Sequence, residues 1–476
     1  MEAYHHTFCG YYSSISAKQY EENKDKGYTM NDLYGQNGIE YVFEQYLKGK
    51  NGIKQIDMSV DGSTVGEYIE KEAIAGSDVV LTIDANLQAA AEKALEEAII
   101  NGEPDKDTKL KPSAGAIVAM NVRTGEVLAM ASYPDFEPSS WNGGRIEKSV
   151  WDKYNSEENG SPLVNRAVSS AFAPGSTFKM ITAISALQTG NVTTTEKIND
   201  TGVYPRGHNP VCWIYTSRHI GHGYLNITQA IQRSCNYFFY EMGYRIGIET
   251  LNRYVNLFGL GSKTGIELTG ETTGKIASRE STAQKGETWT VGYTLSAAIG
   301  QGDNNFSPIQ MAKYISILVN GGKQINPTLI RAVVNPDGSI EERSNIETSV
   351  NERIGRNIEA KEDIEIDPKN LEVVLEGMRG VTSESAGTAY GVFKNFSIEV
   401  GGKTGSAQTE RSTNAWFVGF APYDNPEIAI ACIIEDGGSG AIACYPARDV
   451  IARYFGTQEA TIQENLTAIP NTERQN

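Results

Sequence analysis

Two β-patterned blocks lie towards opposite ends of this chain, and any fold it adopts has to bring them together. The first, "GAIVAMNVRTGEVLAMAS" over 115–132, alternates on both sides of an Arg-Thr-Gly turn and predicts a β-hairpin. The second holds three candidate strands: "FSIEVGGKTGSAQ" (396–408), "NAWFVGFAP" (414–422) and "EIAIACIIE" (427–435). Between the blocks, segments such as "PIQMAKYISILVNGG" and "LEVVLEGMRGV" carry helical spacing and end in glycines. Strand-rich outer parts around a helical middle predict an α+β fold whose distant segments share one sheet.

The remaining segments fit around that frame. "SDVVLTIDANLQAAAEKALEEAII", from Ser77, predicts a short strand, an N-cap at Asp84 and a helix burying Leu87, Ala91, Leu95 and Ile99. Residues 1–75 are polar. Their clearest apolar pattern is in "GIEYVFEQYLKGKNG", where Ile39, Val42, Phe43, Tyr46 and Leu47 predict one amphipathic helix on a small lobe. Residues 76–460 form the main domain, and 461–476 a polar tail.

Charge narrows the function. Against 59 acidic residues stand 42 Lys and Arg, a net charge of −17, which argues against a nucleic-acid groove. No apolar run approaches the ~18 residues of a membrane span, and "MEAYHHTFCG" lacks the layout of a signal peptide. Five cysteines (Cys9, Cys212, Cys235, Cys432, Cys444) are too few for a disulfide scaffold in so long a chain. Cys432 and Cys444 lie among apolar residues and read as small hydrophobes.

The chemistry is concentrated in three short stretches. In "SSAFAPGSTFKMITAISALQTG", Ser176 follows Pro174 and Gly175, and Lys179 comes three residues later. Residues i and i+3 share a helix face, so hydroxyl and amine can meet, while Phe178, Ile181, Ile184 and Leu187 bury the helix. Serine becomes a nucleophile only when a base takes its proton, and lysine is a base only when burial or a second cation keeps it neutral. S-x-x-K alone also fits a capped helix with its lysine in water. Two further motifs decide otherwise: Ser234-Cys235-Asn236 before an aromatic-rich helix, and Lys403-Thr404-Gly405 on an alternating strand. These three, in this order, belong to serine acyl-transfer enzymes that open amide bonds. A second Lys-Thr-Gly, at Lys263, Thr264 and Gly265, follows a helical pattern closed by glycines and reads as a loop. An extended peptide substrate needs its Lys and Thr on a strand edge, which favours the copy at 403.

With these motifs the sequence resembles the penicillin-binding proteins. "LTIDANLQ", "NRAVSSAFAPGSTFK", "AIGQGDNNFSPIQMA", "GMRGV" and "NAWFVGFAP" extend the likeness over about 76–455. "YGQNGIEYVFEQYLKGKNG" resembles the pedestal of class B members, and "NDTGVYPRGHNPVCW" with "GHGYLNITQAIQRSCNYFFYEMG" is most similar to the elongation type. The resemblance implies a serine β-lactamase/D,D-transpeptidase-like fold: an antiparallel sheet flanked by helices, a mainly helical subdomain and a small pedestal lobe. It implies peptidoglycan D,D-transpeptidation through an acyl-enzyme on Ser176, with no cofactor for the chemistry. Lys179 is then the base, Ser234 a proton relay and Asn236 a substrate holder. Lys403 and Thr404, with Gly405, receive the terminal carboxylate, and backbone N–H groups of Ser176 and Ser406 form the oxyanion hole. Implied partners are D-alanyl-D-alanine stem peptides, β-lactams and a membrane glycan polymerase. The implied location is the outer face of the cell membrane, on an N-terminal anchor that this sequence does not include. A serine β-lactamase, a D,D-carboxypeptidase and a β-lactam sensor share the three motifs.

Relatives of the elongation type hold zinc near the second motif. The resemblance implies a structural zinc on Asp200, Cys212, His222 and Cys235, although Cys212 stands where relatives have an aspartate and extra residues precede His222. His219 and His208 are alternatives. So are a buried free thiol at Cys235 and a Cys212–Cys235 disulfide.

Overall fold

The computed structural model of the protein describes residues 7–358 and 360–456, and the expected polar tail over 461–476 lies outside them. The two β blocks meet in one antiparallel sheet. Its strands are β1 (Ala114–Asn121), β2 (Val127–Tyr133), β3 (Gly401–Gln408), β4 (Thr413–Ala421) and β5 (Ile428–Glu435), in the order β3-β4-β5-β1-β2. The ladder between β5 and β1 joins the two blocks, with Cys432 opposite Ile117 and Ile428 opposite Asn121. Strands β4 and β5 are buried on both faces, which explains why they are continuous apolar runs. Cys432 and Cys444 are fully buried, as small hydrophobes should be. Strand β3 lies at an edge, so one row of its backbone groups is left for something other than the sheet.

Seven helices frame the site: α1 (Ala85–Ile100), α2 (Lys179–Gln188), α3 (Asn236–Leu257), α4 (Val291–Ala298), α5 (Pro308–Val319), α6 (Pro368–Ser383) and α7 (Cys444–Tyr454). Helix α1 begins at Asp84, whose carboxylate accepts from the N–H groups of Asn86 and Leu87, and it buries Leu87, Ala91, Leu95 and Ile99 as the periodicity requires. It packs with α7 on one face of the sheet, and α5 covers the other. Helix α5 opens with a Ser307–Gln310 capping box and is buried from Pro308 to Leu318. A helix apolar all round fits only between two layers, here the sheet and the helical part of the molecule. Within that part α3 packs on α2 and α4, and α6 on β3.

Two local expectations are corrected. The amphipathic helix of the N-terminal lobe is broken into Gly38–Val42 and Glu44–Leu47, with Phe43 at φ −103 and ψ 13. The break sits beside Glu44, whose buried carboxylate accepts from Tyr28 O–H and Gly35 N–H, both at 2.8 Å. The strand bearing Lys403 starts at Gly401 rather than Phe396. Phe396 instead closes a turn on Phe393, and ahead of the strand the Glu399 carbonyl accepts from Tyr423 N–H at 2.9 Å.

Candidate active site

Ser176 lies in a 3-10 turn, Gly175–Phe178, and α2 starts only at Lys179. The expected α-helical first turn is therefore tighter. With about 3.0 residues per turn, positions three apart fall on one side, which puts Ser176 and Lys179 on the same face of the turn. The turn is clamped from two sides. Gly175, at φ +53, lies so near the edge strand that a Cβ there would come 2.9 Å from Ser406 O. Gly300, at φ +74, would place a Cβ 2.2 Å from Gly175 O. Tyr314 O–H donates to Thr177 O at 2.8 Å, and the Trp416 indole N–H to Ala173 O at 2.9 Å.

Three distant motifs converge beside this turn. Lys179 is fully buried, and its Nζ donates to Ser234 O at 2.7 Å, Asn236 Oδ1 at 2.7 Å and Ser234 Oγ at 3.2 Å. Lys403, equally buried, donates to Ser234 Oγ at 2.9 Å and to Thr404 O at 2.9 Å. Ser234 has φ +54, a left-handed conformation that is costly for a residue with a side chain. Cys235 follows it as the N-cap of α3, with Sγ accepting from Phe238 N–H at 3.4 Å. Asn236 is the first residue of that helix.

Burial pulls Lys179 down to about 8 from the ordinary lysine value. Burial, and then the charge of Lys179, push Lys403 well below its ordinary value. The three acceptors around Lys179 match the three donors of an ammonium group. Losing one proton frees a lone pair in a dry pocket beside a serine.

The edge strand supplies the remaining groups. Ser406 O faces Gly175 and accepts from Gln301 Nε2 at 3.5 Å. N–H and C=O of one strand residue point to the same side, so Ser406 N–H also faces the turn of Ser176. Ser406 Oγ accepts from Gly440 N–H at 3.1 Å. Gly405 allows the turn close, since a Cβ there would meet Pro174 O at 2.8 Å. Thr404 Oγ1 lies 2.6 Å from Thr388 Oγ1. The second Lys-Thr-Gly lies in a loop, as its helical context implied, with Thr264 N–H and O–H both donating to Glu271 Oε1. Gln301, Tyr314, Thr388 and Gly440 escaped the sequence reading, because nothing in their local pattern sets them apart.

Behind Ser234 the ligand atoms of Asp200, Cys212, His222 and Cys235 lie within 4.8 Å of one another. His208 and His219 are not part of this group. The two sulfurs are 3.9 Å apart and both cysteines are free, so they form no disulfide. A tetrahedral zinc with Zn–S of about 2.3 Å and Zn–N or Zn–O of about 2.0 Å needs edges of ~3.8 Å between sulfurs and ~3.5 Å from sulfur to nitrogen or oxygen. The structure has 3.9 Å for Cys212–Cys235, 3.5 Å for Cys212–His222 and 3.3 Å for Cys235–Asp200. His222 Nδ1 and Asp200 Oδ2 are closer, at 2.7 Å, because they hydrogen-bond. Burial works against the Asp200 charge, but bonds from His222 and Gly202 N–H hold its carboxyl down at about 2. The donor set fits a structural zinc.

Comparison with known proteins agrees with this geometry. Residues 115–452 match the penicillin-binding protein transpeptidase domain, and 2–81 the penicillin-binding protein dimerisation domain. The chain belongs to the penicillin-binding protein transpeptidase family. This family member is 30% identical over 452 residues to the peptidoglycan D,D-transpeptidase MrdA of Escherichia coli K12, covering 90% of the chain but 66% of that relative. Stage V sporulation protein D of Bacillus subtilis is 29% identical over 430 residues, covering 86% of the chain and 58% of the relative. Among solved structures, Pseudomonas aeruginosa PBP2 in complex with WCK 5153 superposes with a TM-score of 0.74 at 30% identity, covering 94% of this chain and 90% of that one. A chain of a peptidoglycan synthase complex gives 0.79 at 32% identity, covering 96% and 76%. Helicobacter pylori PBP2, solved in complex with MreC, gives 0.74 at 26% identity, covering 95% and 78%. Like these neighbours, this penicillin-binding protein is α+β with an antiparallel sheet and the serine acyl-transferase fold.

Proposed function

We propose that this penicillin-binding protein is a peptidoglycan D,D-transpeptidase of the elongation type that cross-links stem peptides through an acyl-enzyme on Ser176. The observation that carries this reading is the pair of buried lysines, Lys179 and Lys403, converging on one hydroxyl, Ser234 Oγ. In the reaction, Ser176 Oγ attacks the carbonyl between the two terminal D-alanines while its proton passes to neutral Lys179. The C–N bond breaks, and the departing D-alanine amine takes a proton relayed by Ser234. An amine of a second stem then attacks the ester, releasing Ser176 Oγ, which recovers its proton. The N–H groups of Ser176 and Ser406 hold the oxyanion, and losing one such donor typically costs about 10²–10³ in rate. Asn236 positions the substrate amide. Lys403 and Thr404 receive the terminal carboxylate, and a β-lactam carboxylate takes the same place while its ring acylates Ser176. Release of D-alanine from a pentapeptide stem, together with a cross-linked product when an acceptor stem is present, tests the reading. Hydrolysis alone, with or without acceptor, contradicts it.

Zinc held by Asp200, Cys212, His222 and Cys235 would supply structure rather than reactivity, since a closed set of four ligands leaves no open position. It would pin the segment carrying Cys212 and His222 to the motif carrying Ser234 and Asn236.

The relatives support a reading of the partners. Two similar structures are of PBP2 with MreC and of a peptidoglycan synthase complex. Their likeness supports assembly of this chain with a membrane glycan polymerase at the outer face of the cell membrane. Among the described residues no helix is long and apolar enough to cross a membrane.

A further inference from the structure

Thr404 is assigned above to the substrate carboxylate, yet its hydroxyl already has a partner, Thr388 Oγ1 at 2.6 Å. Thr388 stands in the loop between α6 and β3, and that loop is tightly tied. Gly387 N–H donates to Glu384 O at 2.7 Å and Ala389 N–H to Val381 O at 2.9 Å. A Cβ on Gly387 would come 2.3 Å from both Gly380 O and Val381 O, so the loop lies directly on the end of α6. Thr382 O–H donates to Val400 O at 2.5 Å, which joins that helix end to the start of β3. Thr388 is thus held at a fixed distance from Thr404.

A hydroxyl has one proton and two lone pairs. Of two hydroxyls in contact, only one proton lies between the oxygens. If Thr404 is the donor, it offers an incoming carboxylate only lone pairs, which repel it. If Thr388 is the donor, the Thr404 proton is free, and its oxygen is polarised to give that proton more strongly. Lys403 shares the carboxylate, but its Nζ already donates to Ser234 Oγ and Thr404 O, so it does not replace the Thr404 proton.

We propose that Thr388 is a positioning residue, whose O–H donates to Thr404 Oγ1 and thereby turns the Thr404 proton towards the terminal carboxylate of the substrate or of a β-lactam. This rests on the proposed function, which supplies the carboxylate.

The test compares acylation of the whole purified protein by benzylpenicillin and by its methyl ester, which lacks the carboxylate charge. Thr388→Val is expected to slow acylation by the acid about tenfold, the scale of one lost hydrogen bond, and to leave the slower reaction with the ester unchanged. Thr388→Ser restores the wild-type acid-to-ester ratio. Thr404→Val removes the same discrimination, and adding Thr388→Val to it costs nothing more. The ratio is read on one protein sample, so a smaller folded fraction does not alter it. An acid-to-ester ratio unchanged by Thr388→Val, or additive losses in the double variant, overturns the inference while the proposed function stands. Wild-type protein that forms no adduct overturns the proposed function and this inference with it.

Discussion

Lys403 Nζ donates to Ser234 Oγ across 2.9 Å, although the two residues lie 169 positions apart in the chain. Lys179 reaches the same oxygen from the opposite motif. The contact exists because β3 is an edge strand, and because the left-handed turn at Ser234 presents its side chain to that edge. Burial lowers Lys179, which is the physical basis of the base assigned to it, and burial, then the charge of Lys179, hold Lys403 well below its ordinary value.

The first prediction concerns pH. Burial lowers Lys179 to about 8, so its neutral, proton-accepting form grows as pH rises towards that value. Acylation by a β-lactam, followed by stopped flow, should accelerate up to about tenfold per pH unit from about pH 6 and level off above the lysine value. A flat profile over that range excludes Lys179 as the base.

The second separates the two Lys-Thr-Gly copies. Lys403→Ala removes the buried donor to Ser234 Oγ and should lower acylation at least 100-fold, on the scale of a lost hydrogen-bond donor in such a site. Lys263 is exposed in a loop, and Lys263→Ala should acylate at the wild-type rate. Loss of activity in the Lys263 variant, with Lys403→Ala still reacting, would reverse the assignment of motif to strand.

Much of this was legible in the sequence, and the reasons are specific. Ser176, Lys179, Ser234, Asn236 and Lys403 stand out as candidates because the chemistry restricts both residue type and chain order. Sheet membership followed from apolar runs such as "IAIACII", whose two-sided burial leaves few other places for them. What escaped depends on tertiary partners. The break at Phe43 lies beside Glu44, turned inward towards Tyr28, and helical spacing cannot register that contact. Thr388 is an ordinary loop threonine until α6 and β3 bring it to Thr404. The resemblance names His222 ahead of His219 and His208, and the fold brings His222 to Asp200, Cys212 and Cys235.

The third prediction is for the metal. Purified protein should carry about one zinc per chain, and removing it with a chelator should slow acylation and lower the melting temperature. Cys212→Ser should bind zinc more weakly. A metal content below about 0.3 per chain, in protein that acylates at full rate, would rule out a structural zinc.

The fourth concerns the clamp on the serine turn. Tyr314→Phe leaves buried Thr177 O without its donor and should cost about 1–3 kcal/mol of stability, read from denaturant unfolding. Acylation should fall as well, because Thr177 adjoins Ser176. Unchanged stability would show that the turn is held by other contacts.

The measurement that tests the central claim most directly is the intact mass of the protein after exposure to benzylpenicillin, with Ser176→Ala beside the wild type. The account predicts one penicilloyl adduct on the wild type, mapping to the peptide that contains Ser176, and none on the variant. An adduct that persists in Ser176→Ala, or wild-type protein that stays unmodified, would contradict it.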